Sequence, residues 1–138
     1  MDIKKLFTGG IVGGILFFGL GYLIYGTLLT SFMASHPGTA TGVDRDMKDI
    51  QFLYLVIGNL AMGFLLAYIF VKGNVGSMGG GFVTGGIVGL LIAVGSDCVM
   101  YATTHIISKT AMAADVAAMT VMCAITGAIV AMVMGKKA

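Results

Sequence analysis

Three side chains in one apolar stretch have the types and spacing of a proton path. Asp97, Tyr101 and His105 recur at i, i+4 and i+8, which puts them on one face of a helix. An acid inside a membrane-length stretch costs several kcal/mol unless it is paired or solvated, and such residues usually face a bundle interior or water. No Lys or Arg occurs between positions 80 and 107 to neutralise it. Asp97 is therefore expected to carry a proton or hold a cation near the midplane, with Tyr101 and His105 leading outward. Counting along their own stretches gives Asn59 and Cys123 the same depth as Asp97, facing the centre from opposite sides, and Ser96, Tyr22, Tyr25, Thr104 and Thr126 are placed to add hydroxyls to the same interior. A plainer use of these groups is glue. A protonated Asp97 bonded to Asn59, a hydroxyl or a carbonyl ties helices together at about 0.6 kcal/mol per bond.

Other chemistry finds no support in the residue pattern. Cys98 and Cys123 lie within apolar stretches and read as free thiols. Their spacing relative to Asp97, His36 and His105 matches no zinc, haem or iron–sulfur pattern, so neither a metal nor another cofactor is expected. The glycine runs lack the Gly-Lys-Ser/Thr of a phosphate loop. No nucleophile stands with a base and no basic patch forms, so neither an enzyme nor a nucleic-acid partner is expected.

The elements that must position the acid follow from composition. Of 138 residues 58% are apolar and 22 are glycine, against eight Lys/Arg and six acids, all Asp. A soluble domain uses about 25% charged residues, so this chain cannot cover a water-facing surface. Four apolar stretches, 6–30, 50–71, 80–107 and 113–134, are each long enough at about 1.5 Å per residue to cross a hydrocarbon layer of about 30 Å. Lipid offers the backbone no partners and period-2 alternation is absent, so the stretches are expected to be helices. The fold class expected is an all-α, integral membrane four-helix bundle in a single domain.

Lys4, Lys5, Lys72, Lys136 and Lys137 flank one side, whereas Arg45, Lys48 and Lys109 on the other are diluted by Asp44, Asp46, Asp49 and Asp115. The bias of basic residues predicts cytoplasmic N- and C-termini. The first apolar stretch exceeds the roughly 7–15 residues of a cleaved signal, so it is read as a span. The link 31–49 reads as a connector rather than a partner-binding loop, with Asp49 placed to cap the second helix.

A duplication organises the chain. Thr8-Gly9-Gly10-Ile11-Val12-Gly13 recurs as Thr84-Gly85-Gly86-Ile87-Val88-Gly89 at an offset of 76, and an offset of 64 aligns Gly63 with Gly127, Ala67 with Ala131 and Lys72 with Lys136. Two tandem helical hairpins, 1–73 and 77–138, are expected to insert the same way up. Gly9, Gly10, Gly13 and Gly14, with Gly81, Gly85 and Gly89, have the small-xxx-small spacing that lets helices approach closely in lipid. The expectation is that the first and third helices cross on these faces. Homodimerisation through them is the alternative.

With Gly-Tyr-Leu-Ile-Tyr-Gly in the first span and Gly-Asn-Leu-Ala-Met-Gly-Phe-Leu-Leu-Ala-Tyr in the second, the duplicated Gly-Gly-Ile-Val-Gly motif resembles small four-span bacterial inner-membrane proteins of unknown function. The resemblance implies topology and a bacterial inner membrane, and supplies no catalytic residue. Two functions are open. One is passage of protons, cations or a small solute by a homo-oligomer through the polar site around Asp97. The other is a non-transporting accessory or scaffold subunit that binds another membrane protein.

Overall fold

The computed structural model describes residues 1–135, with Met47 lacking a described side chain. Lys136 and Lys137, and with them the pairing of Lys72 with Lys136, lie outside the described residues. The chain forms α1 (Ile3–Leu23), extended by a π-helical turn (Ile24–Leu28), a short α2 (Thr30–Ser35), a 3-10 turn (Met47–Asp49), α3 (Phe52–Lys72), α4 (Met78–Thr103) and α5 (Lys109–Gly135). Four of these helices are long and apolar enough to cross a membrane, and the chain is a small polytopic membrane protein of all-α class. Their charge-poor sequences carry little amphipathic pattern, as suits helices whose outward faces meet lipid rather than water.

Local signals fix the ends. Asp2 caps α1 by accepting from the Lys5 N–H at 3.1 Å, and Ser77 caps α4 by accepting from Gly80 at 3.0 Å. Between α3 and α4 the chain reverses through Asn74 in the left-handed region, φ 52°, a conformation Asn tolerates better than most residues. Asp49 does not cap α3. It lies in the 3-10 turn, and Gln51 precedes the helix without a side-chain cap bond.

Glycine faces decide the packing, although not as expected. Gly63 of α3 nests on the α1 backbone at Gly10, Gly13 and Gly14, and Gly127 of α5 nests on α4 at Gly81 and Gly85. Each cluster therefore seals its own hairpin, and α1 and α4 make no extended contact. The reason is steric: a glycine face needs only a slim partner, and the antiparallel neighbour already supplies Gly63 or Gly127. The two seams also differ in register. Gly10 and Gly14 align in sequence with Gly86 and Leu90, whereas Gly127 settles on Gly81 and Gly85.

The hairpins join through α1 and α5. Gly9 meets Met134 and Gly13 meets Val130, partners that descend as α1 ascends, so α1 is antiparallel to α5 and parallel to α4. Phe17, Leu66, Phe70, Met122 and Val130 fill the core between α1, α3 and α5. The helices thus succeed one another as α3, α1, α5, α4, with α5 the most enclosed.

One end of the bundle carries residue 1 and the 73–77 turn. The other, here the loop end, carries 31–49 and 104–108. There the loop is strapped across the α4–α5 turn: Pro37 pairs with Ile107, the Ala40 N–H donates to the His105 carbonyl at 2.9 Å, and the Ser108 hydroxyl donates to the His36 carbonyl at 2.6 Å.

Candidate functional site

The α4–α5 seam builds the site. Gly81, Gly85, Gly89, Ala93 and Asp97 recur every four residues and are all buried, Asp97 at 5% exposure. Opposite them run Ala131, Gly127, Cys123, Met119, Asp115 and Ala111, with Gly81 against Gly127 and Ala131, Gly85 against Cys123, and Gly89 against Cys123 and Met119. Continued two turns toward the loop end, this register brings Asp97 beside Asp115, and the two carboxyls face each other. Four small residues thus hold the helices close enough for two acids to meet.

A third group arrives from α1. At the π-helical turn the Leu29 N–H donates to the Ile24 carbonyl five residues back, at 2.8 Å. This wider turn shifts the side-chain direction. Tyr25 lies in it, with its hydroxyl directed at Asp115 and Asp97 close by. The loosened carbonyls are covered locally: Thr27 donates to Leu23, and Thr30 donates to Tyr25 at 2.9 Å.

The Tyr25 hydroxyl, one oxygen of Asp97 and the Thr126 hydroxyl are each buried without a hydrogen-bond partner in the structure. Among the described residues no basic side chain neighbours Asp97. Two carboxyls that close, with no cation beside them, repel when both are charged.

Several expectations need correcting. Asp97 is not at mid-depth: it lies six positions, about 9 Å at 1.5 Å per residue, from the end of α4 at Thr103, about halfway between that end and the helix centre. Cys123 is not level with it: α5 starts at Lys109, and the thiol packs deeper, against Gly89. Asn59 belongs to the α1–α3 side, donating to the Leu55 carbonyl of its own helix at 2.8 Å. It does not face Asp97. Ser96 adjoins Asp97 and donates to the Ala93 carbonyl at 3.3 Å.

Tyr101 and His105 do not extend a relay. Tyr101 is 40% exposed, with the Lys109 ammonium 5.9 Å from its ring centre, and His105 lies past the helix end in the turn. Both line a cleft of about 470 Å³ under the strap, with Pro37, Thr104 and Lys109. Sequence reasoning missed Asp115 as a site member and gave Tyr25 only as one of several hydroxyls that could reach the interior. The spacing of four from Asp115 to Met119, Cys123 and Gly127 was the available signal for the first. Tyr25 depended on a helical irregularity that nothing local announces.

No cluster of three or more metal-ligating side chains occurs among the described residues. Comparison of the chain with family models, with curated proteins and with solved structures found no match in any of the three.

Proposed function

We propose that this small polytopic membrane protein takes up a proton or a small cation at Asp97, Asp115 and Tyr25 and passes it across the membrane as a homo-oligomer. It is not an enzyme on this reading, and its termini face the cytoplasm, so the site is reached from the far side. One observation carries the proposal: two facing carboxyls and a phenol, Asp97 buried and Asp115 and Tyr25 half-buried, with no basic neighbour to Asp97 and with oxygens left unpartnered. Intramembrane acids are retained at a cost, and that cost is commonly met where a charge must bind and leave. Below the acids, glycines on α4 and α5 press backbone against backbone, so a path through one protomer's seam is shut. Onward passage therefore runs along a surface shared between copies.

The same closed seam favours a second reading, an accessory subunit for another membrane protein in which the acids share one proton and only fasten α4 to α5. Flux separates the two. In liposomes at matched protein density, the parent is expected to conduct protons or monovalent cations above empty vesicles, and Asp97→Asn or Asp115→Asn to return flux to that baseline. Parent flux equal to empty vesicles would eliminate transport and leave the fastening role.

A further inference from the structure

One sizeable cavity is lined by neither acid. Toward the loop end α1 and α3 diverge and leave a space of about 580 Å³ walled by the rings of Phe17, Phe18, Tyr22, Tyr25 and Phe52, with Met122 of α5 at its base. Its size falls within the roughly 300–1,000 Å³ of small-molecule sites, which are mostly apolar with a few polar groups fixing orientation. Asn59 supplies such a group. Its amide lines both this cavity and an adjoining one of about 220 Å³. One N–H is used on the Leu55 carbonyl, and no other hydrogen bond to the side chain is made among the described residues. A primary amide has a second N–H and a carbonyl oxygen to satisfy, and lipid chains offer neither donor nor acceptor.

We propose that this cavity binds a flat, ring-bearing membrane lipid with a hydroxyl or carbonyl on the ring, the chemical class of quinones and quinols. Stacked or edge-on aromatic walls suit a planar ring, and the Asn59 amide both donates to a ring carbonyl and accepts from a ring hydroxyl. An acyl chain would fill the volume but leave the amide without a partner. The site is independent of the acid cluster, sharing only the Tyr25 ring as a wall.

The test uses the full chain in nanodiscs with a decyl-tailed benzoquinone and its reduced form, measured by equilibrium binding and native mass spectrometry. Saturable binding of one molecule per protomer is expected. Asn59→Leu should weaken it about tenfold, the equivalent of one lost hydrogen bond. Gly21→Phe should abolish it, because Gly21 lines the cavity and an added Cβ there meets nothing within 4 Å. Gly95→Leu, also open but on α4, should bind like the parent, as should Asp97→Asn. Photolabelling of the parent by an azido-quinone should map to Tyr22 or Met122 whether or not a variant folds. Non-saturable partitioning equal to empty nanodiscs, binding unchanged in both cavity variants, or a bound phospholipid that quinone does not displace would each overturn the proposal. So would dissociation of an oligomer by Asn59→Leu, which would give the amide's partner to a second copy.

Discussion

At Asp97 the neighbours matter more than burial. A single carboxyl 5% exposed could pass as a protonated packing residue, whereas one facing Asp115 and a tyrosine hydroxyl sits in a group that cannot be fully charged without help. Replacing one acid by its amide removes the repulsion and provides a donor to the remaining carboxyl. Asp97→Asn is therefore expected to hold or raise the thermal midpoint in detergent by a few degrees, corresponding to about 1 kcal/mol. A lower midpoint would mean that the charge itself secures the fold through a cation. Combined with Asp115→Asn, the two changes should be non-additive by at least about 0.5 kcal/mol, the mark of residues in contact, and strict additivity would separate them. Neither acid's role was legible one residue at a time. Asp97 stood out as an acid within a span, but Asp115, six residues into α5, looked like a flanking charge until the seam register paired them.

Between elements, the glycines govern how far helices approach. A Cβ on Gly85 would overlap the Cys123 carbonyl and crowd Gly127, while one on Gly19 or Gly95 would meet nothing within 4 Å. Gly85→Leu should accordingly destabilise the protein by about 1–3 kcal/mol, the usual cost of overpacking, and spread α4 from α5. Gly95→Leu should leave the thermal midpoint unchanged. Equal behaviour of the two variants would refute the close-packed seam. The π-helical turn works at the same scale. Deleting Gly26 should restore a regular helix and rotate the chain beyond it by about 100° about the α1 axis, which a changed distance between spin labels at Phe32 and on α1 would report. Small-xxx-small spacing was visible in the sequence. Which surface each glycine face met was not, because a face without side chains specifies closeness and leaves the partner open.

For the whole molecule, the strap between the 31–49 loop and the α4–α5 turn ties the two hairpins at the loop end. Gly38 packs against the His105 and Ile106 backbone with no room for a Cβ. Gly38→Val should release the strap and raise hydrogen exchange at Ala40, whose N–H is held by His105. Unchanged protection there would show the contact to be dispensable. Single cysteines introduced at Thr39 and Gly76 in a background lacking Cys98 and Cys123 should label from opposite sides of the membrane, Gly76 from the cytoplasm. Labelling from one side would contradict the arrangement of parallel hairpins.

Composition alone determined that the chain lives in a bilayer as four helices, since apolar residues at this density have no other solvent in which to be stable. Approximate span limits and the presence of a costly acid came from the same source, each being a property of a stretch taken by itself. The tertiary structure decided which helices touch, how deep the acid lies, and that Asp115 and Tyr25 complete its site. Those outcomes depend on the register between backbones that approach at glycine, and a side chain that is missing leaves no periodic mark of the neighbour it admits.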